Sequence, residues 1–127
     1  MRKTKKLTPI PKLLKKAEEV FNRWIRLRDH NEPCISCGKH QQKYDAGHYV
    51  PVSKSSFLRF NEHNVNKECG GCNCFDEGHL IGYRQNLVKK IGEDKVKWLE
   101  ENRHTVKRWT RQELEWIITN YTLPKSY

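Results

Sequence analysis

The sequence predicts an α+β, mostly helical domain, in which a four-cysteine zinc site clamps a short β element between N- and C-terminal helices. Three observations carry that expectation. Two Cys-x-x-Cys pairs, Cys34/Cys37 and Cys69/Cys72, bracket a segment of strand-like composition. Apolar residues recur at spacings of three and four from Lys12 to about Asp29, the period of an amphipathic helix. Thr110 and Glu113 form a capping box ahead of a last apolar-periodic run.

Residues 1–11 read as a basic flexible leader ending in Pro9-Ile10-Pro11, and residues 12–127 as one zinc-stabilised domain. The first helix has Leu13, Ala17, Val20, Trp24 and Leu27 on its apolar stripe, widened by Leu14, Phe21 and Ile25. Asn31-Glu32-Pro33 ends it. A loop follows from Gly38 to Lys43, then a strand from Tyr44 to Val52, where Pro51 stops regular pairing. Ser53 to Ser56 is a polar turn, and Phe57 to Phe60 leads to Asn64 and the second cysteine pair. Gly70-Gly71 are expected to make the tight turn between Cys69 and Cys72. A helix then begins near Asn73 and ends at Ile91, with Gly92 as its cap. Glu93 to Asn102 is helical, with Val96 and Leu99 on one face. The helix after Thr110 buries Leu114, Ile117, Ile118 and Tyr121, and Pro124 stops it.

Four thiolates in two such knuckles suit tetrahedral zinc, and each knuckle presents two sulfurs from one tight turn. The competing reading is disulfides or unrelated thiols. Hydrophobic residues make up 35% of the chain and charged residues 31%, so the core is modest and a metal clamp helps it. The first residues contain no apolar h-region of a signal peptide, and no apolar run approaches the roughly 18 residues of a membrane span. A reducing cytoplasmic compartment is therefore expected, where paired knuckles bind metal. Cys74, the fifth cysteine, either replaces a neighbour at the zinc or is a small buried hydrophobe; the second reading is preferred.

Lys and Arg number 25 against 15 Asp and Glu, a formal charge of +10. That excess predicts a polyanionic partner, most simply nucleic acid bound through its phosphates. Lys12, Lys15, Lys16, Arg23, Arg26 and Arg28 lie on the first helix. Lys54, Arg59, Lys67 and Arg84 are the phosphate contacts expected nearer the centre of the domain. The alternative is a basic surface that merely keeps the protein in solution.

Between the knuckles lies Asp45-Ala46-Gly47-His48. A neutral imidazole can take a proton from water, and a hard divalent ion beside a phosphodiester would complete metal-assisted hydrolysis. Oxygen ligands for such an ion are at hand in Asp45, Asn73 and Glu77. Asp45 and His48 should point to opposite faces of a strand unless Gly47 bends it. A lone histidine can equally be a packed structural residue.

Read together, His48, Asn64 and Asn73 resemble the zinc-knuckle subgroup of HNH (His-Me finger) endonucleases. The resemblance implies a ββα-metal core in which His48 is the general base and Asn64 orients the catalytic loop. It also implies that Asn73 binds a catalytic Mg2+ or Mn2+. Many members place Asp or His just before the base, where this chain has Gly47; Asp45 is then the substitute, with Glu77 and His79 as further ligands. A closer similarity covers residues 20–121. Pro33-Cys34-Ile35-Ser36-Cys37-Gly38, Asp45-Ala46-Gly47-His48-Tyr49, Leu58-Arg59-Phe60-Asn61-Glu62, Gly82-Tyr83-Arg84 and Arg108-Trp109-Thr110 resemble the phage NinG (Rap) recombination endonucleases. That similarity implies structure-selective cleavage of branched DNA, Holliday junctions and D-loops, in the host cytoplasm during phage recombination.

Two other readings remain open from the residues themselves. One is a non-catalytic zinc-dependent module that binds nucleic acid; the other is a zinc-stabilised adaptor for proteins. Symmetric cutting of a four-way junction needs two active sites, so a homodimer is an expectation, with Trp109 and Trp116 as candidate contact residues.

Overall fold

The computed structural model describes residues 6–75 and 79–123. Helix α1 runs Ile10–Arg28 and buries Leu13, Ala17, Phe21 and Ile25, a strict i, i+4 row. It starts two residues before the expected Lys12. Pro9 is its N-cap and Pro11 sits in the first turn, where a missing N–H costs no hydrogen bond. The buried row also corrects the predicted stripe: Val20 and Trp24 flank it, and Leu27 is 37% exposed.

Strand β1 (Tyr44–His48) pairs antiparallel with β2 (Val65–Cys69), placing Asp45 opposite Glu68, Gly47 opposite Asn66 and His48 opposite Val65. The predicted strand was longer, to Val52. Pairing stops because Asn64 takes over the backbone groups of Val50. All five residues of β2 are buried, including Asn66, Lys67 and Glu68. Ile35 N–H donates to the Lys67 carbonyl at 2.9 Å, so the first knuckle covers the outer edge of β2. The face of β1 that carries Ala46 and His48 borders a cleft.

After β2 come α2 (Gly70–Phe75), α3 (His79–Ile91), α4 (Glu93–Glu101) and α5 (Arg111–Tyr121). Gly70 and Gly71 do not form the separate tight turn expected of them. They are the first residues of α2, neither has a positive φ, and the helix therefore starts before Asn73. Gly92 does use its freedom: at φ +94° it ends α3 and caps α4 within one residue. The capping box of α5 closes in both directions, Glu113 N–H to Thr110 Oγ1 at 3.2 Å and Thr110 N–H to Glu113 Oε1 at 3.0 Å.

The hairpin separates two hydrophobic clusters. One joins α1 and α5 around Phe21, Phe60, Val65 and Leu114. The other joins the first knuckle to α3 and α4 around Leu58, Tyr83, Leu87 and Leu99. Each fully buried side chain of this size contributes about 1.5–3 kcal/mol through removal from water. Asp29, at the end of α1, ties the halves together by accepting from Arg28 (2.8 Å), Lys90 (2.9 Å) and the Lys67 N–H (3.2 Å). Burial alone would raise its carboxyl. The hydrogen bonds from Arg28 and Lys90 outweigh burial and hold it below the ordinary carboxylate range. Among the described residues no helix is long and apolar enough to cross a membrane.

Candidate functional site

The sulfurs of Cys34, Cys37, Cys69 and Cys72 all lie within 4.8 Å of one another. Zinc–sulfur bonds of about 2.3 Å place tetrahedral sulfurs about 3.8 Å apart, so this set fits a structural zinc. Cys37 and Cys69 sulfurs stand 4.0 Å apart, and all four cysteines are free thiols. Burial opposes ionisation of Cys34, but the N–H groups of Cys37 and Cys69 point at its sulfur and hold its thiol below the ordinary range. Burial, then the neighbouring sulfurs, push Cys72 well up. Four thiols this close cannot all ionise without a cation among them.

A cleft of about 460 Å³ opens beside β1, lined by Glu18 and Asn22 of α1, His48, Arg59, Asn73 and His79. His48 ends β1, and its Nε2 lies 3.0 Å from the Arg59 carbonyl. A carbonyl only accepts, so Nε2 carries the ring hydrogen and Nδ1 keeps its lone pair. Burial, the larger influence, lowers the His48 pKa against the opposing pull of that carbonyl. With its pKa below the ordinary 6.5, the ring is neutral at pH 7.

Asn64 holds the loop that presents the Arg59 carbonyl. Fully buried, it accepts from Val50 N–H at 2.8 Å and donates to the carbonyls of Val50 (3.1 Å) and Leu58 (3.3 Å). Both the start of the loop and the residue before Arg59 are pinned by one side chain. A single Asn can do this because it carries both an acceptor and two donors.

The proposed ligands of a second cation are only partly brought together. Asn73 lines the cleft and donates to Asp45 Oδ2 at 3.3 Å. Asp45 itself lies on the other face of β1 from His48, as strand alternation requires, and does not line the cleft. His79 lines it. Glu77 and the side chain of Cys74 fall outside the described residues. Among the described residues, the four cysteines are the only His, Cys, Asp or Glu groups gathered closely enough to hold a metal.

The basic residues divide sharply. Lys54 is exposed on the loop beside the cleft. Arg59 lies on the cleft wall in an ion pair with Glu18, and its Nε has no protein partner among the described residues. Lys67 is buried, with its ammonium on the carbonyls of His30 (3.1 Å) and Glu32 (2.9 Å) and over the Tyr44 ring. Arg84 is engaged by Glu100 (2.9 Å) and Glu93 (2.8 Å). Arg28, counted on the basic face of α1, is instead drawn to Asp29 and the Glu62 carbonyl. Lys12, Lys15, Lys16, Arg23 and Arg26 are exposed or half-exposed.

Glu68 and Ser36 carry no mark in the sequence. Glu68 is fully buried beside Cys69, and its Oε2 contacts both the Ser36 hydroxyl and His79 Nδ1, the latter at 2.9 Å. Its side chain also explains Gly47: a Cβ there would fall on the Glu68 carboxylate, 2.9 Å from Glu68 Cβ. A Glu in a polar run beside a cysteine gives no sequence signal of burial. A glycine inside a strand, Gly47, is the one sequence feature that fits a bulky group packed close to the backbone.

A family model described as Bacteriophage Lambda NinG protein matches residues 1–124. The chain is 40% identical over 116 residues to "Protein ninG" of Escherichia phage lambda, covering 91% of this chain and 56% of that protein. It is 39% identical over 116 residues to "Protein ninG" of Salmonella phage P22, covering 91% of this chain and 57% of that protein. The chain thus spans a little over half the length of these curated relatives. No solved structure matches it.

Proposed function

The chain belongs to the phage NinG family, and from that premise we propose that it is a metal-dependent endonuclease cutting branched DNA on an HNH (His-Me finger) ββα-metal core. The observation that carries this reading is the His48–Arg59 hydrogen bond, which leaves a neutral imidazole with Nδ1 unprotonated at the border of a cleft. His48 Nδ1 takes a proton from water, the resulting hydroxide attacks phosphorus in line with the 3′ oxygen, and the P–O3′ bond breaks as that oxygen leaves and takes a proton from solvent. The products are a 5′-phosphate and a 3′-hydroxyl. Asn64 fixes the loop so that the Arg59 carbonyl stays in place through the reaction. Arg59 and Lys54 hold phosphates close to the cleft, and the exposed cations of α1 hold a neighbouring arm.

A bound Mg2+ or Mn2+ would supply charge neutralisation at the phosphate and the leaving oxygen. Asn73 and His79 face the cleft where it would be held, with Asp45 behind Asn73. A zinc held by Cys34, Cys37, Cys69 and Cys72 would have a structural role, tying the first knuckle to the end of β2 and the start of α2. Selectivity for Holliday junctions and D-loops, work in the host cytoplasm and pairing as a homodimer on a junction belong to this proposal. They rest on the family resemblance and on the need for two cuts.

The second reading is a non-catalytic zinc-dependent module that binds nucleic acid. Its support is the position of Asp45 outside the cleft and the lack of a gathered carboxylate set there among the described residues. A synthetic four-way junction and a linear duplex of the same sequence, incubated with zinc-loaded protein, separate the two. The nuclease reading expects junction cleavage in Mg2+ or Mn2+ that stops with chelator. Salt-sensitive binding without cleavage in either ion selects the module.

A further inference from the structure

We propose that the aromatic cavity beside α5, which holds Trp109 and Trp116, is a stacking site for an unpaired nucleobase. This deepens the branched-DNA reading and rests on its assignment of DNA as the partner.

The cavity has a volume of about 460 Å³ and is lined by Phe60, Trp109, Gln112, Trp116, Ile117 and Tyr121. Phe60 and Ile117 belong to the buried core between α1 and α5. Trp109 is fixed: its indole N–H donates to the Ser56 carbonyl at 2.8 Å, and its ring meets Phe60 edge-on at 4.9 Å. Tyr121 is braced edge-on by Phe21 and by Trp24, each at 4.9 Å. Trp116 differs from these, being 58% exposed, with Tyr121 6.3 Å away. Rings already held in place and one open indole offer π-faces to a further planar ring at small conformational cost. Gln112, exposed on the lining, can both donate and accept at the edge of a base.

Charge and area identify the occupant. Helix α1, against which α5 packs, and residues 107–121 together carry nine Lys and Arg against four Glu. One of the four, Glu113, is already paired with Lys107 at 2.7 Å, and the Lys107 ammonium stands 5.0 Å from the centre of the Trp109 ring. Cations interleaved with aromatic rings suit a nucleic-acid strand, whose phosphates and bases they meet in turn. A second copy of the chain would instead bring the same positive charge to this face. It would also find little to bury. Trp116 is the one large apolar side chain of α5 that is more than a third exposed, and a Trp offers about 150–250 Å². Each partner in a stable protein interface buries about 800 Å². The face is therefore read as a DNA contact rather than as the dimer contact expected for Trp109 and Trp116. In a continuous duplex the faces of each base are covered by its neighbours, so the site accepts a base only where pairing is interrupted, as at a branch.

The test is fluorescence anisotropy of a labelled oligothymidylate and of an abasic oligomer of the same length and charge. Each is titrated with zinc-loaded protein in the absence of Mg2+ and Mn2+. Wild type is expected to bind the oligothymidylate at least about fivefold more tightly than the abasic strand, the lower end of base–aromatic stacking. Trp116→Ala should remove most of that difference and leave the abasic affinity unchanged, and Trp116→Phe should restore most of it. If Trp116→Ala loses helicity, ring-current shifts of the Trp116 indole protons in wild type on adding oligothymidylate decide instead. Equal affinity of wild type for the two strands, a folded Trp116→Ala protein that keeps the difference, or unshifted indole protons overturns the proposal. So does a doubling of the protein's mass in sedimentation that Trp116→Ala abolishes, which assigns the face to a second copy. Cleavage plays no part without the divalent ion, so failure of the nuclease reading leaves these outcomes intact. Absence of binding to either strand overturns the DNA reading and this proposal together, whereas equal binding to both overturns this proposal alone.

Discussion

His48 Nε2 and the main-chain carbonyl of Arg59 lie 3.0 Å apart, so the protein itself selects the tautomer in which Nδ1 is unprotonated. The partner is a backbone group held by Asn64, and substitution of the Arg59 side chain leaves that hydrogen bond available.

A pH dependence follows from the burial of His48. Its folded pKa lies below the ordinary 6.5, mainly through desolvation. Fewer protons are bound in the folded state, so the contribution of His48 to stability is full above 6.5 and is lost as pH falls through the lowered folded value. The single-turnover cleavage rate should rise with unit slope at acid pH and be level before pH 7. A rate still climbing tenfold per unit above pH 7 would show that another group is the base.

Zinc removal should separate structure from chemistry. Metal analysis is expected to find one tightly held zinc per chain. A chelator strong enough to remove it should lower the thermal midpoint and loosen α2, which begins directly after Cys69. Cys34→Ser should lose zinc. Cys74→Ser should keep it, because four other sulfurs already complete a tetrahedral set.

Gly47→Ala tests the packing between the strands. The added methyl meets the Glu68 side chain in a closed interior, and overpacking of this kind costs about 1–3 kcal/mol in chemical denaturation. The double variant Gly47→Ala/Glu68→Ala should be less destabilised than the two single effects added together, since it removes the obstacle. Strict additivity would contradict the close approach of the two residues.

The cations should fall into two groups. Lys54→Ala and the pair Lys15→Ala/Lys16→Ala should weaken binding to every DNA tested and lower the salt slope by about 1 for each phosphate no longer neutralised. Lys67→Ala and Arg84→Ala should act chiefly on stability, because their charges are held by His30, Glu32, Glu93 and Glu100. Fluorescence anisotropy across a salt series checks both.

Local chemistry was legible in the sequence; contacts between distant segments were not. The cysteine spacing, the Thr110–Glu113 box and Gly92 each depend on a few neighbouring residues, and each occurs as expected. Strand β2 was not delimited because Asn66, Lys67 and Glu68 are polar yet buried, which erases the alternation that marks a strand. The engagement of Lys67 and Arg84, expected as phosphate contacts, leaves no sequence sign because their partners come from other elements. The Glu68–His79 pair links β2 to α3, and its trace in the sequence is no more than the missing side chain at Gly47.

The most direct measurement is single-turnover cleavage of a four-way junction by wild type and His48→Ala, with junction affinity and zinc content measured on the same preparations. His48→Ala is expected to bind zinc and junction like wild type and to cut at least a hundredfold more slowly, the lower end of the usual general-base contribution of about 10²–10⁴. Unchanged cleavage by a folded, zinc-loaded His48→Ala protein would contradict the assignment of His48 as the base.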